Sequence, residues 1–112
     1  MTQELKDKWV AALRSGKYKQ TSGVLKRMES GACSYCCLGV LATLAGEEFE
    51  PFSDDDFTGD FLLVRHPGSA PGYLPADLLD TTVGIHLGNM NDHGKTFRQI
   101  ASYIEKNVEA TS

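Results

Sequence analysis

A chain of 112 residues has room for one hydrophobic core, and 41% hydrophobic with 23% charged residues is the make-up of an ordinary globular protein. That composition argues against disorder and against a fibrous or repeat architecture. The net charge of −4 is unevenly placed, with +4 over residues 1–46, −9 over residues 47–94 and +1 over residues 95–112. An acidic middle disfavours nucleic acid as a partner and leaves at most a modest basic face near the N-terminus.

In chain order, Thr2 is placed to cap a first helix whose apolar positions Leu5, Trp9, Ala12 and Leu13 share one face, with Gly16 as its stop. Lys17-Tyr18-Lys19-Gln20-Thr21 and Val24-Leu25-Lys26-Arg27-Met28 flank the turn dipeptide Ser22-Gly23, which predicts a short β-hairpin or extended pair. After Glu29-Ser30-Gly31, the stretch from Cys36 to Ala45 is apolar on nearly every side and predicts a buried core helix closed by Gly46. Residues 47–72 read as an irregular acidic excursion interrupted by Pro51, Pro67 and Pro71, with a short strand at Phe61-Leu62-Leu63-Val64. Pro75 suits the first position of a helix through Leu78 and Leu79 that ends before Gly84, with Ile85-His86-Leu87 adding one further turn. Thr96-Phe97-Arg98-Gln99 is a capping box, and Phe97, Ile100, Ala101, Ile104 and Val108 form the stripe of a last helix. The expected fold is α+β, a single compact domain of three to four helices with a small β-hairpin or short antiparallel sheet.

No apolar run approaches the roughly 18 residues of a membrane span, and Met1 to Lys8 offers no signal-peptide core. Cys33, Cys36 and Cys37 are an odd, clustered set that cannot staple a secreted fold. A cytoplasmic protein with reduced thiols and no membrane partner is expected.

Three blocks stand out: Trp9-Val10-Ala11-Ala12-Leu13-Arg14-Ser15-Gly16-Lys17-Tyr18-Lys19-Gln20, Tyr35-Cys36-Cys37-Leu38-Gly39-Val40-Leu41, and Asn91-Asp92-His93-Gly94-Lys95-Thr96-Phe97 leading into Ile100-Ala101-Ser102-Tyr103-Ile104-Glu105. Together they resemble a family of small uncharacterised proteins encoded by tailed phages and prophages. The resemblance covers both ends of the chain, leaves Cys33 outside the pattern and brings no catalytic residues with it. It implies an accessory protein acting in the host cytoplasm, by engaging a host protein or sequestering a small anionic ligand such as a defence nucleotide signal.

The residues offer several chemistries. Cys33-Ser34-Tyr35-Cys36 has the C-x₂-C spacing of a zinc chelate, but a closed site needs two more ligands from Cys37, His66, His86 and His93, and no second pair follows. Cys36 or Cys37 at a helix N-terminus has the placement of an activated nucleophile, with His66, His86 or His93 as base, oriented by Asn91 or Asp92. Against both stands the usual fate of free cysteine, a small buried hydrophobe. Asp54 to Asp60 supplies the first ligands of a calcium loop, but its twelfth position is Arg65 instead of Glu. Gly94-Lys95-Thr96 ends like a phosphate loop, yet Gly88 lies one residue too far upstream and no strand leads in.

Trp9, Tyr18, Phe97 and Tyr103 read as core or core-edge residues ahead of a base-stacking platform. Non-catalytic binding, with no cofactor, is therefore the expected function. A small cysteine-dependent enzyme and a zinc-stabilised interaction module are the alternatives. Recognition is expected in Asn91, Asp92, His93, Gly94, Lys95 and Thr96, where polar residues and glycine separate two helical patterns and the last helix presents its amides.

Overall fold

A computed structural model describes residues 1–29, 31–51, 60–63 and 78–109. Among them are helices α1 (Gln3–Ser15), α2 (Cys37–Leu44), α3 (Thr81–Asp92) and α4 (Phe97–Asn107). The strands β1 (Lys26–Glu29), β2 (Ala32–Tyr35), β3 (Phe49–Pro51) and β4 (Asp60–Leu63) form one antiparallel sheet in the order β2-β1-β4-β3. The fold is α+β. No helix among the described residues is long and apolar enough to cross a membrane.

The two outer helices form where their local signals place them. Thr2 Oγ1 accepts from Leu5 N at 3.2 Å, and Gly16 at φ 76° takes the left-handed turn that ends α1. At α4 the capping box closes in both directions, Gln99 N donating to Thr96 Oγ1 and Thr96 N donating to Gln99 Oε1. Their apolar stripes bury Trp9, Val10 and Leu13 from α1 and Phe97, Ile100, Ala101 and Ile104 from α4. Both lie in one core cluster with α2, whose Cys37, Leu38, Val40, Leu41 and Ala42 are buried, while Leu44 is half-buried at its rim. Tyr18 and Tyr103 pack at the edge of that core.

Two expected elements are corrected. Ser22-Gly23 turns the chain but joins no hairpin: Val24 and Leu25 are both buried, so two consecutive side chains enter the core where a surface strand would alternate. The hairpin is instead β1–β2, with Gly31 at φ 80° just before β2. The earlier segment returns beside β2, Tyr35 N donating to Lys19 O and Thr21 N to Tyr35 O, both at 2.8 Å, in parallel sense. Pro75 lies outside the described residues, but Leu78 and Leu79, expected in a helix, are non-helical, and the helix that follows is capped by Asp80, whose Oδ1 accepts from Thr82 N and Val83 N. It then runs through Gly84 and Gly88 to Asp92. Each of these glycines costs about 1 kcal/mol of helix propensity relative to alanine, so burial of Leu87 and Asn91 holds α3 where local preference would end it. The expected strand at residues 61–64 is observed as Asp60–Leu63, and Val64 lies outside the described residues.

One glycine is needed for packing rather than for a turn. Cys36 N donates to Leu25 O at 3.2 Å as the chain enters α2, and the backbone of Gly39 lies directly on that carbonyl, where an added Cβ would collide with backbone atoms. Gly39→Ala must therefore separate α2 from the segment before β1. Its expected cost in urea denaturation lies at or above the upper end of the about 1–3 kcal/mol typical of overpacking, whereas Gly88→Ala, whose Cβ meets Leu38 at ordinary contact distance, is tolerated.

Candidate binding surface

The segment from Asn89 to Thr96 joins the end of α3 to the start of α4. Gly94, at φ 91°, closes α3 with a Schellman turn: Lys95 N donates to Met90 O at 3.0 Å and Gly94 N to Asn91 O at 3.4 Å. Thr96 then opens α4, so two helix ends meet within four residues. The turn is tied from behind to the segment before β1. Gln20 Nε2 donates to Lys95 O at 2.7 Å, and Gly23 N donates to Asp92 Oδ1 at 2.8 Å.

Of the six residues expected to bind, Asn91 turns inward. It is 1% exposed. Its Oδ1 accepts from Gln20 Nε2 at 3.0 Å and from Cys37 N at 3.2 Å, while Nδ2 donates to Thr21 O at 2.6 Å. These bonds join α3, α2 and the 20–21 segment, leaving the carboxamide as a structural tie. Asp92, His93, Gly94, Lys95 and Thr96 are exposed, and so is Arg98 one turn on. His93 Nδ1 lies 2.6 Å from Asn89 O. A carbonyl can only accept, so Nδ1 carries the proton. The capping box occupies the amides of Thr96 and Gln99, which narrows what the end of α4 can offer an anion.

The cysteines are arranged as packing. Cys36 is 4% exposed and Cys37 is fully buried, with its Sγ 3.6 Å from Leu87 O; Cys33 is half-buried on β2. Burial raises the Cys36 thiol from its ordinary 9.0 to about 11, outweighing the opposing effect of the Gly39 and Leu38 amides. Burial raises Cys37 as well, and the neighbouring Cys36 adds to it. Desolvation thus defeats the helix dipole that would have made a thiolate. No group of three or more His, Cys, Asp and Glu side chains among the described residues is close enough to hold a metal ion. His86 packs its ring against Tyr103 at 5.1 Å between centroids. His66, Arg65 and calcium-loop positions 54–59 lie outside the described residues.

Sequence reasoning did not anticipate Gln20, which reaches both Asn91 and the Lys95 carbonyl. It also passed over Trp9 Nε1, which donates to Cys37 O at 2.8 Å. Among the described residues, surface clefts of about 400 Å³ lie elsewhere, one beside Leu78, Val83 and Val108, another between α1 and α4 beside Lys6 and Arg14.

Fold and surface define a small α+β domain with two thiols, Cys36 and Cys37, and one carboxamide, Asn91, buried in its interior. The chain belongs to the family described as Domain of unknown function (DUF8296), whose match covers residues 1–58. That span includes α1, the β1–β2 hairpin, α2 and β3, and with them the contacts of Trp9 and Gly39, but not Asn91. No curated protein and no solved structure matches the chain.

Asn91→Leu removes the tie while keeping an apolar volume, and strands the Cys37 amide and Thr21 carbonyl. A loss of about 1–3 kcal/mol for each polar group left unpaired is expected in denaturant melts. The thiols make a prediction in pH. Between about pH 9 and pH 11 the unfolded chain releases the Cys36 proton that the folded chain still holds, so stability falls as pH rises through this window. The fall shows as a difference between wild type and Cys36→Ala in melts across that range. At neutral pH a thiol reagent should modify Cys33 first and reach Cys36 and Cys37 only on unfolding.

Proposed function

We propose that this chain is a non-catalytic binding protein, of the phage accessory kind that its three motif blocks resemble. It recognises a carboxylate on a host protein, or a small anion of one or two charges, at the turn between α3 and α4. The observation that carries the reading is an exposed turn held rigid from behind. Lys95 and Arg98 are exposed, while the Lys95 carbonyl and amide and the Asp92 carboxylate are already anchored. Preorganisation of this sort lowers the entropic cost of binding. Asp92 and the acidic middle of the chain oppose a highly charged polyphosphate. The enclosed, protonated thiols count against the cysteine-enzyme alternative.

Lys95→Ala tests this surface because its side chain is exposed and its backbone bonds survive the change. Its stability should stay within about 0.5 kcal/mol of wild type. Binding of acetate, inorganic phosphate or a captured host protein should weaken by about tenfold, as loss of a charge-assisted hydrogen bond implies. NMR shifts of the Asn89 to Phe97 amides are the readout. Shifts confined to other segments would place recognition elsewhere.

A further inference from the structure

The sheet carries a feature that the α3–α4 turn does not use, at the rim of the core, against which Tyr18, Tyr35 and Phe49 pack. Lys26 on β1 stands directly opposite Tyr35 on β2 and Phe61 on β4, so the three side chains share one face of the sheet. The Lys26 ammonium lies 4.9 Å from the Phe61 ring centroid, 5.2 Å from that of Phe49 and 5.9 Å from that of Tyr35. Tyr18 extends the cluster edge-to-face onto Tyr35 at 5.4 Å. Lys26 and all four rings are half-buried, and Met28, two places along β1 on the same face, is 44% exposed. Among the residues whose side chains are described, no carboxylate lies within ion-pair distance of Lys26.

A cation set among ring faces is a two-part receptor. The exposed parts of the rings offer stacking to a flat aromatic group, and an ammonium held among them offers a charge-assisted hydrogen bond to an anion. A wholly structural cluster would serve as well with an apolar residue in place of lysine, because the ammonium adds a charge that must keep contact with water. We propose that this face of the sheet binds a planar aromatic anion of nucleotide chemistry, its ring against Tyr35 and Phe61 and its phosphate on Lys26. The site is separate from the α3–α4 turn and does not depend on the reading of that turn.

Adenosine monophosphate, adenosine and inorganic phosphate, each titrated into the full chain and followed by NMR, separate the two parts of the site. The monophosphate should move amides at residues 26–27, 33–35, 49 and 61, and bind at least about tenfold tighter than either fragment. Lys26→Met, which keeps most of the stem and loses the charge, should weaken the monophosphate by about tenfold, and Lys26→Arg should retain it. The proposal is overturned if millimolar monophosphate moves nothing on the sheet, if its shifts fall only in the Asn89 to Phe97 turn, or if Lys26→Met binds as wild type. Should Lys26→Met fail to fold, the wild-type ranking of monophosphate against its fragments decides, equal binding of the three being the contrary result.

Discussion

The carboxamide of Asn91 is buried where three stretches of chain meet, and a buried amide must find partners for both its ends or destabilise the fold. Here it finds them in the side chain of Gln20, the carbonyl of Thr21 and the amide of Cys37. One side chain thereby fixes the end of α3 against the start of α2 and against the segment that leads into β1. The Schellman turn at Gly94 and the capping box at Thr96 follow within five residues, so the direction of α4 is set from the same point. Trp9 completes the arrangement from the other side of α2 by donating to the Cys37 carbonyl. The backbone of a single residue, Cys37, is thus held at its amide by α3 and at its carbonyl by α1.

The same arrangement buries the thiols of Cys36 and Cys37. A cysteine at a helix N-terminus gains from the dipole and from nearby amides, but those gains are small beside the cost of a buried thiolate. Cys36 enters α2 under the Leu25 carbonyl and Cys37 faces Leu87, so packing keeps both protonated at neutral pH. Gly39 belongs to this junction too, because its missing side chain is what lets α2 lie on Leu25. The Cys-Cys-Leu-Gly run therefore reads as a packing motif in this chain.

With central polar groups engaged inward, the described residues display two surfaces of distinct chemistry that are proposed for recognition. The α3–α4 turn is polar, cationic at Lys95 and Arg98 and anchored by hydrogen bonds from behind. The sheet face is aromatic around one lysine. Both surfaces are displayed on hydrogen-bonded elements, which keeps the ordering cost of an encounter low.

Helices α1, α2 and α4 were legible from residue order because their causes are local: Thr2 and Thr96 cap within three residues, Gly16 stops the first helix, and the apolar stripes repeat at helical spacing. The polar, glycine-broken character of residues 92–96 was legible for the same reason. The β1–β2 pairing was not, since Ala32-Cys33-Ser34-Tyr35 carries no alternating apolar signal and the Ser22-Gly23 turn competes for the role. The course of α3 was not, since Gly84 and Gly88 weaken its local preference and burial of Leu87 and Asn91 overrides them. Asn91 looked like a surface residue because nothing nearby in sequence shows that its partners lie 54 to 71 residues away. Caps and periodicity act over three or four residues and can be read from the chain alone, whereas the burial of a polar group depends on which distant segments close over it, and that is a property of the assembled core.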